Sequence, residues 1–99
     1  MRRIKYFHRT SISPDAVIGA AAPFFGGRLT PTAEAPRLRR FSGTLGEVTL
    51  TVRAEGGHYT LVTVETNQPG ESELDRLAKG FLGAVHTMAE PGHALRGAY

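Results

Sequence analysis

Residues 47–66 read EVTLTVRAEGGHYTLVTVET, and this stretch gives the strongest indication of the fold. Val48, Leu50 and Val52 alternate with charged residues and threonines, which predicts a strand with one apolar and one polar face. After Gly56-Gly57, a second β-rich segment runs over residues 58–66. Together they predict an antiparallel β-hairpin that covers a core with one of its faces.

The apolar side chains favour one of two hairpin registers. A two-residue Gly-Gly turn places Val52 opposite Leu61, but it places the other apolar residues of the first strand opposite polar ones. A three-residue loop, residues 55–57 with Gly57 left-handed, matches more of them, in the pairs Val48–Val64, Leu50–Val62 and Val52–Thr60. We predict this register, because a slip of one residue would move every side chain to the other face.

Before the hairpin, the sequence predicts a strand, a helix, a loop and a second strand. Residues 4–12 are rich in β-branched and aromatic residues and predict a strand. Ser13-Pro14-Asp15 has the residues of a helix N-terminus, and Pro23 is expected to end or kink that helix. The glycines and prolines of residues 26–36 predict a loop, and residues 37–42 predict a strand.

After the hairpin, a long amphipathic helix is predicted. Ser72 is the expected N-cap, and Glu90-Pro91-Gly92 is the expected stop. One apolar stripe follows at helical spacing: Leu74, Leu77, Ala78, Phe81, Val85 and Met88. We therefore predict a single α+β domain over residues 1–99, ordered β-α-β-β-β-α, with a mostly antiparallel sheet packed by the C-terminal helix and a tail at 93–99.

The composition bounds the class of protein. Ninety-nine residues and 10.7 kDa suit one domain with one modest core. The absence of cysteine excludes disulfides, thiolate zinc sites and a cysteine nucleophile. No run approaches the roughly 18–20 apolar residues of a membrane span. Arg2, Arg3 and Lys5 followed by an apolar stretch faintly resemble a signal peptide, but polar residues interrupt it, so we expect a cytoplasmic protein without membrane contact.

The charge is uneven, and it suggests one class of partner. Residues 1–40 contain eight basic and two acidic residues, whereas residues 41–99 contain four and seven. If the two N-terminal strands were neighbours, a basic stripe with interleaved aromatic residues would suit nucleic acid. The residues that would carry this alternative are Arg37, Arg39, Arg40 and Phe41. Alternation places Arg40 on the other face from Arg39 and Phe41, so protection of a sheet edge is the preferred explanation.

No catalytic or metal-binding constellation is visible. The four histidines lie in different predicted elements and have no metal-ligand spacing, so we expect no metal. No nucleophile motif is present, and the serines near the helices are explained as caps. We expect no cofactor and lean towards a protein that is not an enzyme. His8, central in the first strand, is the one residue we would test as a general base.

Two glycines in the last predicted helix indicate close packing. Gly80 and Gly83 each cost about 1 kcal/mol relative to alanine in a helix interior, so something is expected to approach that backbone closely. Packing on the protein's own sheet is slightly favoured over the helix of a second subunit.

The order of elements resembles the helix-grip superfamily (START / polyketide cyclase-like, SRPBCC). The resemblance rests on residues 12–17 (Ile-Ser-Pro-Asp-Ala-Val), on the strand start at residues 46–52 and on the helix over residues 71–88. It implies an apolar ligand held between a curved sheet and the long helix. About four strands are too few to enclose such a cavity alone, so no ligand residue is carried over, and either the pocket is vestigial or two chains together complete the sheet.

These observations lead to one main hypothesis. We expect a homodimer that is not catalytic and acts as an apolar-ligand-binding or oligomeric interaction module. The candidate pocket or interface residues are Val17, Phe24, Phe25, Tyr59, Leu61, Gly80, Phe81 and Gly83. A nucleic-acid-binding module that uses the basic N-terminal half is the alternative.

Overall fold

The computed structural model describes residues 3–90, and it confirms an α+β architecture. The elements are β1 (Ile4–Thr10), α1 (Pro14–Phe25), β2 (Thr30–Ala35), β3 (Leu38–Gly43), β4 (Gly46–Glu55), β5 (Tyr59–Thr66) and α2 (Glu73–Ala89). The order is therefore β-α-β-β-β-β-α, one strand more than the sequence predicts. The tail predicted at 93–99 lies outside the described residues.

The strands form one antiparallel sheet in the order β1-β5-β4-β3-β2. Both helices lie on the same face of the sheet, with α1 against β4 and β3, and α2 against β5, β1 and β4. The described chain is thus a two-layer structure in which the helices cover one face of the sheet. We call the other side the open face.

Three phenylalanine rings fill the centre of the core, one each from α1, β3 and α2. The ring of Phe25 lies 5.3 Å from Phe41 and 5.3 Å from Phe81, measured between centroids. All three side chains are buried, as are Val48, Leu50, Val62 and Val64 of the central hairpin. The alternation that predicts the hairpin therefore does select the side of the sheet that faces the core.

The loop prediction for residues 26–36 is wrong, because this segment contains strand β2. Glycines and prolines predict a loop, yet β2 runs antiparallel to β3 at the edge of the sheet. Pro31 is tolerated there because an edge strand needs hydrogen bonds on only one side, and the register shifts between Pro31 and Ala33. Consequently β3 is an interior strand, and its arginines do not protect a sheet edge.

The predicted hairpin register is also wrong, although the loop has the predicted three residues. The loop is Gly56–His58 rather than residues 55–57, so the pairs are Val48–Thr66, Leu50–Val64 and Val52–Val62. His58 adopts a left-handed conformation with φ of 68°, beside Gly57 at 77°. A shift of two residues keeps the same side chains on the core face, so alternation cannot distinguish the two registers.

Both helices begin at the predicted caps. The Ser13 hydroxyl accepts a hydrogen bond from the Ala16 amide at 3.2 Å, and the Ser72 hydroxyl accepts one from the Asp75 amide at 3.1 Å. Pro23 does not end α1, which continues to Phe25. The strand predicted to reach residue 12 ends at Thr10, whose hydroxyl accepts a hydrogen bond from the Ile12 amide.

Candidate functional site

Neither helix covers the open face of the sheet. Directly paired residues in an antiparallel sheet point to the same side, so the register identifies what lies on it. One row crosses all five strands without a charged residue: Phe7, Thr63, Thr51, Leu38 and Ala35. We call this the central row.

Exposed hydrophobic side chains are concentrated on this face. Phe7 of β1 is 60% exposed and Tyr59 of β5 is 49% exposed, and Leu61 lies half-buried between Arg9 and Arg53. Phe7 and Tyr59 are the two most exposed large hydrophobic residues of the described chain, and the third, Met88 at 39%, is on α2. An exposed apolar patch rimmed by polar groups is typical of an interaction surface.

Charged residues surround the central row on both sides. At one end, the Arg9 Nε lies 2.9 Å from a carboxylate oxygen of Glu55, and Arg53 lies 3.4 Å from the other oxygen. Hydrogen bonds from Arg9 are the largest influence on Glu55 and hold the pKa of that carboxyl below its ordinary value.

At the other end of the face, Arg3 pairs with Glu47 at 3.5 Å and with Glu65 at 3.9 Å. The open face thus has a neutral centre and a charged rim, with the cations and carboxylates of the rim largely paired.

A shallow depression of about 370 Å³ lies on the open face. Phe7, Leu61 and Thr63 form its floor with Thr51, and Lys5 and Arg53 flank it. Its apolar wall and two basic flanks suit a side chain of a partner better than they suit a buried ligand, because drug-sized ligands are mostly enclosed by their sites.

The structure distributes the eight predicted pocket or interface residues over three places. Val17, Phe25 and Phe81 belong to the buried core. Tyr59 and Leu61 lie on the open face. The remaining three belong to the helix layer: Phe24, Gly80 and Gly83.

At Gly80, the close approach expected from sequence comes from helix α1. The Phe24 ring lies 5.4 Å from Phe81, and a Cβ added to Gly80 would lie 3.4 Å from the tip of Phe24. The partner of Gly80 is therefore the protein's own first helix, rather than its sheet.

The basic residues predicted for nucleic acid do not form one surface. Strands β1 and β3 are not neighbours, because β5 and β4 lie between them. Arg37 pairs with Asp15 at the start of α1, and Phe41 is buried in the core. Arg39 lies opposite Leu50 on the helix side and donates to the carbonyl oxygens of Ala35 and Leu38.

Of those four residues, only Arg40 points to the open face. It lies opposite Thr49, and its Nε donates to the Thr49 hydroxyl at 3.1 Å. Lys5 and Arg9 of β1 and Arg53 of β4 also point to the open face.

A buried carboxylate joins β1 to α2. Asp75 is fully buried; it accepts hydrogen bonds from the Tyr6 hydroxyl at 2.6 Å and the Glu71 amide at 2.9 Å, and Lys79 lies at 3.2 Å. Burial acts to raise the pKa of Asp75, but these hydrogen bonds and the Lys79 charge outweigh burial and hold the pKa below its ordinary value. Tyr6 lies 69 residues from Asp75, and local sequence patterns do not reveal a bond between residues so far apart.

His8 faces the helices rather than a cleft. Its ring lies 6.0 Å from that of His86, in an edge contact, and both residues are half-buried. Burial, followed by the neighbouring His86, lowers the pKa of His8. His86 is therefore half-buried against β1 rather than fully exposed to solvent. Within residues 3–90, no three or more histidine and carboxylate side chains are grouped closely enough to hold a metal ion.

Phe7 is the main residue of the open face that the predicted pocket or interface residues leave out. Lys5, Phe7 and Arg9 share one parity of β1, and this alternation is visible in the sequence. What the sequence does not show is that β1 pairs with β5, which places Phe7 opposite Thr63 and next to Leu61.

No helix within residues 3–90 combines the length and the apolar character needed to cross a membrane.

Comparison with known proteins identifies no relative: no family model, curated protein or solved structure matches the chain.

Proposed function

We propose that this chain is a non-catalytic interaction module that forms a homodimer through the open face of its sheet. The observation that carries the proposal is the exposure of Phe7 and Tyr59 beside Leu61 on the one face that no helix covers. Burying such side chains contributes roughly 25 cal/mol for each Å² of apolar surface removed from water.

The arrangement of residues on the open face follows the usual anatomy of an interface. The central row is free of charge, and arginines, lysine and glutamates lie around it. Interfaces typically exclude charge from their centre and keep it on a hydrated rim. Two copies can also bury each other's Phe7, since the same patch serves both partners in a two-fold dimer.

The size of the face sets the expected strength of the dimer. Five strands about 4.8 Å apart, each rising about 3.3 Å per residue over some seven residues, present on the order of 600 Å². Standard interfaces bury about 800 Å² per partner. We therefore expect a reversible dimer with a dissociation constant on the order of micromolar.

An apolar ligand between sheet and helices, as the helix-grip resemblance implies, receives less support. The rings of Phe25, Phe41 and Phe81 occupy the middle of that layer in mutual contact. A ligand there would have to displace core side chains, and replacing such contacts costs several kcal/mol. The open face needs no such rearrangement.

Light scattering coupled to size exclusion, over a range of protein concentrations, tests the homodimer. We expect a mass that rises from one chain to two as concentration increases. Phe7→Asp should keep the protein monomeric at concentrations where the parent is dimeric, because it places a charge in the neutral centre. Met88→Asp is the matched control, since it changes an exposed hydrophobic residue on the helix side and should leave dimerisation intact.

A monomer at every concentration would contradict the proposal. Equal loss of dimer in both variants would show that the interface does not lie on the open face.

Binding of single-stranded nucleic acid to the same face is the second candidate. Lys5, Arg9, Arg40 and Arg53 lie on the open face with the aromatic residues Phe7 and Tyr59. Basic side chains around exposed rings suit phosphates and stacked bases. Three glutamates on the same face weaken this reading.

A salt titration with single-stranded and duplex oligonucleotides decides between the two candidates. Phosphate contacts are strongest at low ionic strength, so binding should be detectable at about 50 mM salt if the second candidate holds. Arg53→Glu on the open face should then abolish it, whereas Arg37→Glu, off that face, should not. Absence of binding at low salt removes this candidate.

A further inference from the structure

The two edges of the sheet differ in whether they can accept another strand. Strand β2 is unsuited, because Pro31 lacks an amide hydrogen and the register shifts at the next residue. The Thr32 hydroxyl also donates to the Arg40 carbonyl, within the existing pair of strands. Prolines and irregular pairing are the usual means by which a sheet edge avoids extension.

Strand β1 has neither feature. Its seven residues pair with β5 without a break, from Ile4–Thr66 to Thr10–Thr60, and it contains no proline or glycine. Within residues 3–90 no strand pairs with its outer side. Half of its amide and carbonyl groups therefore point away from the sheet, in the regular spacing that an added strand needs.

The charge along this edge has a single sign. Arg3, Lys5 and Arg9 follow one another on the open side of β1. The carboxylates that balance them lie further in, Glu65 on β5 and Glu47 and Glu55 on β4. A strand added to β1 would lie about 4.8 Å from the cations and about twice as far from Glu65.

These charges disfavour a second copy of the chain as the added strand. In an antiparallel pairing of two β1 strands centred on Phe7, Lys5 of each copy lies opposite Arg9 of the other. Like charges directly opposite each other destabilise a pair of strands. The same cations favour a strand with acidic residues at alternate positions.

The side of β1 that faces the helices indicates which residues would alternate with the acidic ones in the added strand. Tyr6 and His8 are half-buried there, with Asp75 and His86 of α2 behind them. Both side chains present rings, and the Lys79 Nζ lies 5.2 Å from the centroid of the Tyr6 ring. A neighbouring strand that placed β-branched side chains on this side would cover them.

We propose that β1 is an acceptor edge for an extended acidic segment of another protein, which adds a sixth strand to the sheet. The segment has Asp or Glu at alternate positions on the open side and β-branched residues between them. Main-chain hydrogen bonds supply affinity, and the row Arg3, Lys5 and Arg9 supplies selectivity. This site uses the outer edge of β1; it shares its basic residues with the rim of the open face but does not depend on the dimer.

Peptide titration of the full chain, followed by amide NMR shifts, tests the proposal. The probe is acetyl-TEVEVET-amide, with acetyl-TKVKVKT-amide as the charge control. The acidic peptide should shift the amides of residues 4–10 and slow their hydrogen exchange, with little change in β2. The lysine peptide should bind at least about fivefold more weakly, because opposite charges on paired strands attract each other and like charges repel.

Two further controls separate strand addition from general attraction. An acidic peptide N-methylated on alternate residues keeps its charge but loses its donors, so it should lose most of the affinity. The Lys5→Glu, Arg9→Glu double variant should weaken binding of the acidic peptide by about fivefold or more, and Arg37→Glu should not.

Three results would overturn the inference. The first is no binding at millimolar peptide, and the second is equal binding of the N-methylated peptide. The third is full protection of the β1 amides in the free chain, which would mean that the edge is already filled.

Discussion

The two faces of the sheet come from the same strands but have opposite roles. On β4, Val48, Leu50 and Val52 are buried under the helices, whereas Thr49 and Thr51 between them face outward. On the helix side, side chains interlock and every gap is costly. On the open face, rings and charges remain available to another molecule. Stability should therefore depend on the first face and association on the second.

Truncation of a core ring should produce the largest effect on stability. We expect Phe81→Ala to lower the free energy of unfolding by about 3–5 kcal/mol, because the cavity it leaves touches both Phe24 and Phe25. Phe7→Ala, on the open face, should change it by about 0.5 kcal/mol or less when measured below the dimer dissociation constant.

Urea denaturation of both variants measures the difference. A loss of stability in Phe7→Ala close to that of Phe81→Ala would mean that the open face is packed in the monomer. That result would remove the distinction between the two faces.

Loss of the buried carboxylate should have the next largest effect. Asp75→Asn keeps the shape but weakens the bond with Tyr6 and leaves Lys79 without its carboxylate, so we expect about 1–3 kcal/mol of destabilisation. Glu55→Gln on the open face, which also breaks contacts with arginine, should have little effect because those groups are solvated. A thermal melt of each variant tests this ranking. Equal melting temperatures would show that the Asp75 contacts contribute nothing to stability.

Acidification should lower the stability of the folded protein in two pH ranges, through two groups on the helix side of the sheet. Burial and His86 hold the pKa of His8 below its ordinary value, so its contribution to stability is complete above about pH 6.5 and is lost as the pH falls through the lowered pKa. Asp75 behaves in the same direction at lower pH, since its pKa is also lowered. Melting temperature measured from pH 8 to pH 3 should fall in both ranges.

A variant pair isolates the upper step of this pH dependence. His8→Gln should flatten the upper part of the profile, whereas the exposed His58→Gln should leave it unchanged. An unaltered profile in His8→Gln would assign the upper step to another group.

Local patterns in the sequence predict much of the fold, where neighbouring residues carry the information. The caps Ser13 and Ser72 and the alternation of β4 are confirmed for this reason. Strand β2 was missed because Gly26-Gly27, Pro31 and Pro36 favour a loop, and only its pairing with β3 makes it a strand. The register failed because a histidine rather than a glycine occupies the last left-handed position of the turn.

Long-range contacts explain what sequence reasoning missed in the candidate site. Tyr59 and Leu61 could be assigned to the face away from the core from the pairing of β5 with the neighbouring β4. Phe7 and Lys5 join them only because β1 pairs with β5, a strand more than 50 residues later in the chain. Asp75 looks like a helix-start carboxylate until Tyr6 is placed beside it.

The position of β1 also constrains the order in which the chain can fold during synthesis. Within residues 3–90 its strand partner is β5, which begins at residue 59, and the Asp75 that bonds Tyr6 lies in α2. Strand β1 is therefore synthesised well before its partners, and its backbone stays unpaired until residues 59–75 have followed. Contacts of such sequence separation slow folding. The arginines and the lysine of this segment then serve a second purpose, since their mutual repulsion keeps incompletely folded chains from pairing through β1.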